Sequence, residues 1–65
     1  MAIEVEAEKG SGTAKYTDLK LPAVYGIDYD GSLSNGLEVT TPPATGIELV
    51  RAVFKATDEL KQKGY

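Results

Sequence analysis

The run Gly36-Leu37-Glu38-Val39-Thr40-Thr41-Pro42-Pro43-Ala44-Thr45-Gly46-Ile47-Glu48-Leu49-Val50 changes its apolar period partway through, and that change decides the fold class. From Leu37 to Thr41 the apolar Leu37 and Val39 alternate with Glu38 and Thr40, the two-residue period of a half-buried strand. Pro42-Pro43 then removes two ladder donors and ends the strand. Thr45 with Glu48 has the form of a T-x-x-E capping box, and Gly64 supplies a stop, so the spacing predicts a helix from Gly46 to Gly64. At about 100° per residue, Ala56, Leu49, Leu60, Val53, Thr57, Val50, Phe54 and Ile47 fill one half of that helix. Charged and amide residues fill the other half, and Lys61 alone intrudes on the apolar side.

Working outward, Ile3, Val5 and Ala7 alternate with Glu4, Glu6 and Glu8, which gives a strand with an acidic outer face. Gly10-Ser11-Gly12 breaks it. Tyr16 to Leu21 is expected to form a second strand ending at Pro22. Val24 to Asp30 is expected to form a third, with Tyr25, Ile27 and Tyr29 on one face and Asp28 and Asp30 on the other. Gly31 to Gly36 is a turn, and Asn35-Gly36 is a tight-turn dipeptide within it. The expected architecture is α+β: an antiparallel sheet of three to four strands, one amphipathic C-terminal helix on one face, and a single domain over residues 1–65. Nothing is left over to cover the second, acidic face.

Composition narrows the chemistry. The 65 residues contain no cysteine and no histidine, which excludes disulfides, thiol nucleophiles and every Ser-His or Cys-His arrangement. The net charge of −3, with the acid excess in residues 1–40, disfavours a nucleic-acid partner. No apolar run reaches the ~20 residues of a membrane helix, so a cytoplasmic protein is expected. Gly10-Ser11-Gly12 has no Lys-Ser/Thr at phosphate-loop spacing. The four tyrosines have no basic groove beside them, so they are expected to pack rather than stack on bases. At this length one core rarely supplies more than ~3–5 kcal/mol, and an open sheet face favours self-association, with a homodimer as the expected partner state.

The acidic face is the chemical feature. Glu4 and Glu6, two apart on a strand, stand about 6.5 Å apart along it, and Glu38 lies on the same kind of face of another strand. Carboxylates gathered this way repel one another unless a proton or cation intervenes. Oxygen donors in that number suit Mg²⁺ or Mn²⁺ rather than zinc. The bland alternative is a solvated face with no ligand.

Several of these segments occur together in an order that resembles a known family. Ala2-Ile3-Glu4-Val5-Glu6 is similar to a G-h-E-h-E strand with Ala in place of Gly, where h is apolar. It is followed by Asp30-Gly31-Ser32-Leu33, by Gly36-Leu37-Glu38-Val39-Thr40-Thr41-Pro42-Pro43 and by the helix to Gly64. This series resembles the N-terminal portion of the amidoligases, relatives of glutamate–cysteine ligase and glutamine synthetase. The resemblance implies ATP-dependent joining of a carboxylate to an amine. It implies metal ligation by Glu4, Glu6 and Glu38, with Asp30 and Ser32 as catalytic residues that orient the small-molecule amine or carboxylate. Family enzymes are several times longer and bring further Arg, Lys and His residues, whereas Arg51 is the one arginine here. The chain is therefore expected to keep the metal face without ligase activity as a single copy. Two alternatives stand beside this reading. One is a non-catalytic module that self-associates through its open sheet. The other is a haloacid-dehalogenase-like phosphatase fragment, since Asp28-Tyr29-Asp30-Gly31-Ser32-Leu33 also resembles that family's D-x-D-G-T-L strand.

Overall fold

The computed structural model describes residues 1–65. Its elements are β1 (Glu4–Glu8), a 3₁₀ turn (Tyr16–Asp18), β2 (Gly26–Tyr29), β3 (Gly36–Thr40) and α1 (Gly46–Gln62). The sheet is antiparallel throughout, in the order β1-β3-β2. The chain is thus an α+β fold of three strands and one C-terminal helix, and no helix is long and apolar enough to cross a membrane.

Register assigns the two faces. Val5, Val39 and Ile27 lie level across the sheet, as do Ala7, Leu37 and Tyr29, and these rows face the helix. The next row, Glu6, Glu38 and Asp28, points to the opposite face, as does Glu4 opposite Thr40. A strand paired on both sides and covered on one is the best-buried position available. Accordingly Leu37 and Val39 are fully buried, in a core cluster with Ala14, Leu19, Ala56 and Leu60. Beyond β1 the pairing continues irregularly: Thr41 N–H donates to Ile3 O at 2.9 Å, and Ile3 N–H donates to Thr41 Oγ1 at 2.9 Å.

At Gly36 the absence of a side chain is a requirement of close approach. A Cβ there would lie 2.9 Å from Ala7 O and 2.5 Å from Leu33 Cδ1, so β1 and the turn could not both close on β3.

The expected strand from Tyr16 to Leu21 does not form. The segment makes a 3₁₀ turn, closed by Asp18 N–H to Lys15 O at 2.9 Å, and Leu19 then drops into the core. Pro22 supplies the physical reason. It offers no N–H to a ladder, and its carbonyl accepts from Tyr25 N–H at 3.0 Å in a turn that delays β2 to Gly26. Residues 9–25 instead wrap from one edge of the sheet to the other, held by Asn35. Its Oδ1 accepts from Ala14 N–H and its Nδ2 donates to Gly12 O, both at 2.7 Å.

The helix departs from expectation at its start and in its roll. Thr45 is the extended N-cap residue, yet its side chain makes no capping bond, so the T-x-x-E box is not formed. Gly46 has φ +58°, a left-handed entry that takes the first turn out of the alignment the box requires. The buried stripe is Ala52, Ala56 and Leu60, whereas Ile47 and Phe54 are each 63% exposed and Val50 is 45% exposed. The helix thus turns Ala52, Ala56 and Leu60 inward and leaves part of its apolar half in solvent.

The C-terminus closes as a Schellman motif, as Gly64 foretells. Tyr65 N–H donates to Leu60 O at 2.9 Å, Gly64 N–H donates to Lys61 O at 3.1 Å, and Gly64 has φ +87°. Tyr65 packs on the core, and its hydroxyl donates to Asp18 Oδ2 at 3.0 Å. That bond, followed by the attraction of Lys9, holds the Asp18 carboxyl below the usual range despite desolvation. Lys63 spans Asp18 O at 2.9 Å and Glu59 Oε2 at 2.7 Å. Its donation depresses the Glu59 carboxyl, helped by Lys20 N–H. Gly64→Ala is expected to cost about 1–2 kcal/mol through its left-handed backbone, because a Cβ there meets only the flexible Lys9 Nζ at 3.8 Å. Urea denaturation measures this, and an unchanged midpoint would show that the C-terminal lock does not depend on the glycine.

Candidate metal site on the open sheet face

Asp30 follows β2 and keeps its alternation: its N–H donates to Gly36 O at 3.1 Å, which carries the ladder one residue further. It therefore faces the same side as Asp28, towards Glu38 and Glu6. The Asp-Gly-Ser turn fixes its side chain, with Oδ1 accepting from Ser32 N–H at 2.8 Å and from Ser32 Oγ–H at 2.7 Å. Leu33 N–H closes the same turn onto Asp30 O at 3.2 Å. Oδ2 is different: in a residue only 8% exposed it is buried and has no hydrogen-bond partner outside the carboxyl cluster.

One carboxylate oxygen each from Glu6, Asp30 and Glu38 lies within 4.8 Å of the others. Three carboxyls this close cannot all ionise at ordinary cost. Glu38 carries the largest burden, with its pKa raised to about 7. The first cause is a hydrogen bond with the Glu4 carboxyl, then desolvation, then the charges of Glu4, Asp30 and Glu6. Glu6 is raised first by its hydrogen bond with Asp30, then by that group's charge. Asp30 moves the other way, because the Ser32 hydroxyl and amide stabilise its anion. Within the cluster the anion is therefore best stabilised at Asp30, and the charged forms of Glu6 and Glu38 are disfavoured.

Of the expected ligands, Glu6 and Glu38 are brought together, and Glu4 stands against Glu38 outside the three-oxygen group. Asp30, expected beside reacting groups, supplies the third oxygen. Ser32 has both its amide and its hydroxyl engaged by Asp30, which makes it a positioning residue for that carboxylate. Asp28 lies directly opposite Glu38 in register but is not one of the three. The expected alternation already places Asp30 with Asp28 on the face away from Tyr25, Ile27 and Tyr29; what it does not assign to Asp30 is a place among the metal ligands. A cleft of about 240 Å³ opens beside the turn, where Tyr29, Asp30, Ser34 and Asn35 contribute to its walls.

No family model matches the chain, nor does any curated protein or solved structure.

Proposed function

We propose that the open face of the sheet binds a hard divalent cation, Mg²⁺ or Mn²⁺, through Glu6, Asp30 and Glu38, with Glu4 as an outer carboxylate that orients Glu38. The observation that carries this reading is the Asp30 Oδ2 atom. It is buried with no hydrogen-bond partner outside the carboxyl cluster, in a carboxylate whose anion Ser32 stabilises, and it stands with two further carboxylates whose pKa values are raised. A cation satisfies that oxygen and offsets the mutual repulsion of the three carboxylates. Oxygen-only donors match the preference of these ions.

The resemblance to amidoligases supports a more specific use. In that reading the ion is the one that ATP phosphates would share, and the cleft beside Asp30 would receive the amine or acceptor carboxylate. The chain's own contribution is the metal face, since Arg51 stands on the exposed side of α1 and not on the acidic face. Ligase turnover by a single copy is not expected.

A Mn²⁺ titration followed by NMR tests the site. Paramagnetic broadening should centre on Glu6, Asp30 and Gly36–Glu38, and Asp30→Asn should weaken binding by at least about tenfold, the lower bound for losing even an outer-shell partner. Asparagine keeps an acceptor for Ser32, so the turn should survive. Broadening spread evenly over all ten acidic residues, or unchanged affinity in the variant, would overturn the assignment.

A further inference from the structure

The roll of α1 leaves a stripe that nothing in the chain covers. Ile47, Val50 and Phe54, spaced i, i+3 and i+7, share one exposed face. Beside the stripe an apolar groove of about 260 Å³ runs between the helix and the start of β1, lined by Ile3, Leu49, Val50, Val53 and Phe54. We propose that a second copy of this chain docks here. The two α1 helices would cross antiparallel about a two-fold axis near Ala52, each Phe54 entering the other copy's groove and each Arg51 pairing with the other copy's Asp58.

Charge selects this occupant and this face. On the open side of the sheet, two copies would oppose Glu4, Glu6, Asp28, Asp30 and Glu38 to themselves, which like-charge repulsion forbids. Along the helix stripe the flanking charges have opposite signs, Arg51 near its start and Asp58 two turns later, and neither is in an ion pair within the chain. A two-fold axis sets the same flank of each helix against the other, so one arginine meets one aspartate, twice. Helical side chains lean towards their own N-terminus, and in an antiparallel pair that leans Arg51 and the opposing Asp58 towards each other. Lys61, on the same helix face, falls beyond the start of the opposing helix and escapes burial. Centred near Ala52, Val50 and the opposing Phe54 come level, so the large ring faces a β-branched side chain and the groove rather than another ring.

The contact is small. A few apolar side chains and two rim ion pairs belong with weak encounters burying under about 1,200 Å², so the dimer should form only at high concentration.

Sedimentation equilibrium and NMR diffusion from about 20 µM to about 2 mM provide the test. The expected result is concentration-dependent dimerisation, with shift changes at Ile47, Val50, Phe54 and Ile3. Phe54→Glu should remain monomeric throughout with an unchanged circular dichroism spectrum, since the residue is exposed. Arg51→Asp should weaken association and Asp58→Arg should do the same, whereas the double exchange should restore it. A monomer at the highest concentration would overturn the proposal, as would dimerisation that persists in Phe54→Glu. Failure of the double exchange to recover association would overturn the antiparallel arrangement. Concentration-dependent shifts confined to Glu4–Glu8 would assign the contact to the sheet edge instead. None of these readouts involves a cation, so they stand or fall separately from the metal site.

Discussion

Leu37→Ala is expected to leave the protein largely unfolded at 25 °C, with collapsed amide dispersion in NMR and loss of the helical circular dichroism signal. Leu37 is wholly buried near the start of β3, the central strand, between Ala7 and Tyr29 in register, in a cluster that reaches Ala56 and Leu60 on the helix. Removing a buried leucine side chain costs about 2–5 kcal/mol, the upper part of the range applying where surroundings cannot collapse into the space. Here they cannot readily do so: the strand is pinned by ladders on both sides, and Ala56 and Leu60 of the helix are themselves buried in the same cluster. The total stability of a chain this short is about 3–5 kcal/mol, so a single truncation removes most of it. Ile47→Ala is the matched control. It deletes as much apolar bulk from an exposed position and should shift stability by no more than about 0.5 kcal/mol at low concentration. Comparable losses in both variants would mean that the helix roll described above is wrong.

That contrast marks where the sequence was readable and where it was not. Strict alternation over Ile3–Glu8 and Gly36–Thr41 specifies both strand and face, because a one-residue slip would send every glutamate inward. The helix is equally plain in its extent, and Gly64 announces its left-handed end. Its orientation was not legible, because periodicity counts Ala52 and Ile47 only as apolar or not. The packing discriminates by volume, choosing alanines for the sheet and leaving Ile47, Val50 and Phe54 outside. The segment from Tyr16 to Leu21 alternates like a strand, but Pro22 and the burial of Leu19 settle it as a turn, and only the tertiary fold reveals where Leu19 goes. At the site, parity alone brings Glu6 and Glu38 together. Parity places Asp30 on the same face as well, but whether Glu4 or Asp30 supplies the third oxygen depends on how Ser32 holds the Asp30 carboxylate, which spacing does not show.

The second large effect concerns pH, and its sign is unusual for an acidic protein. Glu38 has a folded pKa of about 7 against an ordinary 4.5, so between those values the folded chain holds a proton that the unfolded chain has lost. Stability from this group is complete below about pH 4.5 and drains away as pH rises through about 7. Glu6, also raised, acts in the same direction. Asp18, Asp30 and Glu59 are depressed and oppose it only in acid: their contribution is present above the ordinary carboxylate range and lost as pH falls through their lowered values. Without metal, stability should therefore peak near about pH 4.5 and decline towards about pH 7.5. Glu38→Gln removes the titration while keeping a neutral donor for Glu4, so the variant should be more stable than the parent at about pH 7.5 and no more stable at about pH 4.5. Urea midpoints at the two pH values read this directly. Mg²⁺ in excess should raise the parent's midpoint at the higher pH, because it binds the folded state alone, and should do much less for Glu38→Gln. A parent and variant with the same pH slope would mean that Glu38 is an ordinary solvated carboxylate. An unchanged parent midpoint with Mg²⁺ would mean that the strain on this face is relieved by protons and not by a cation.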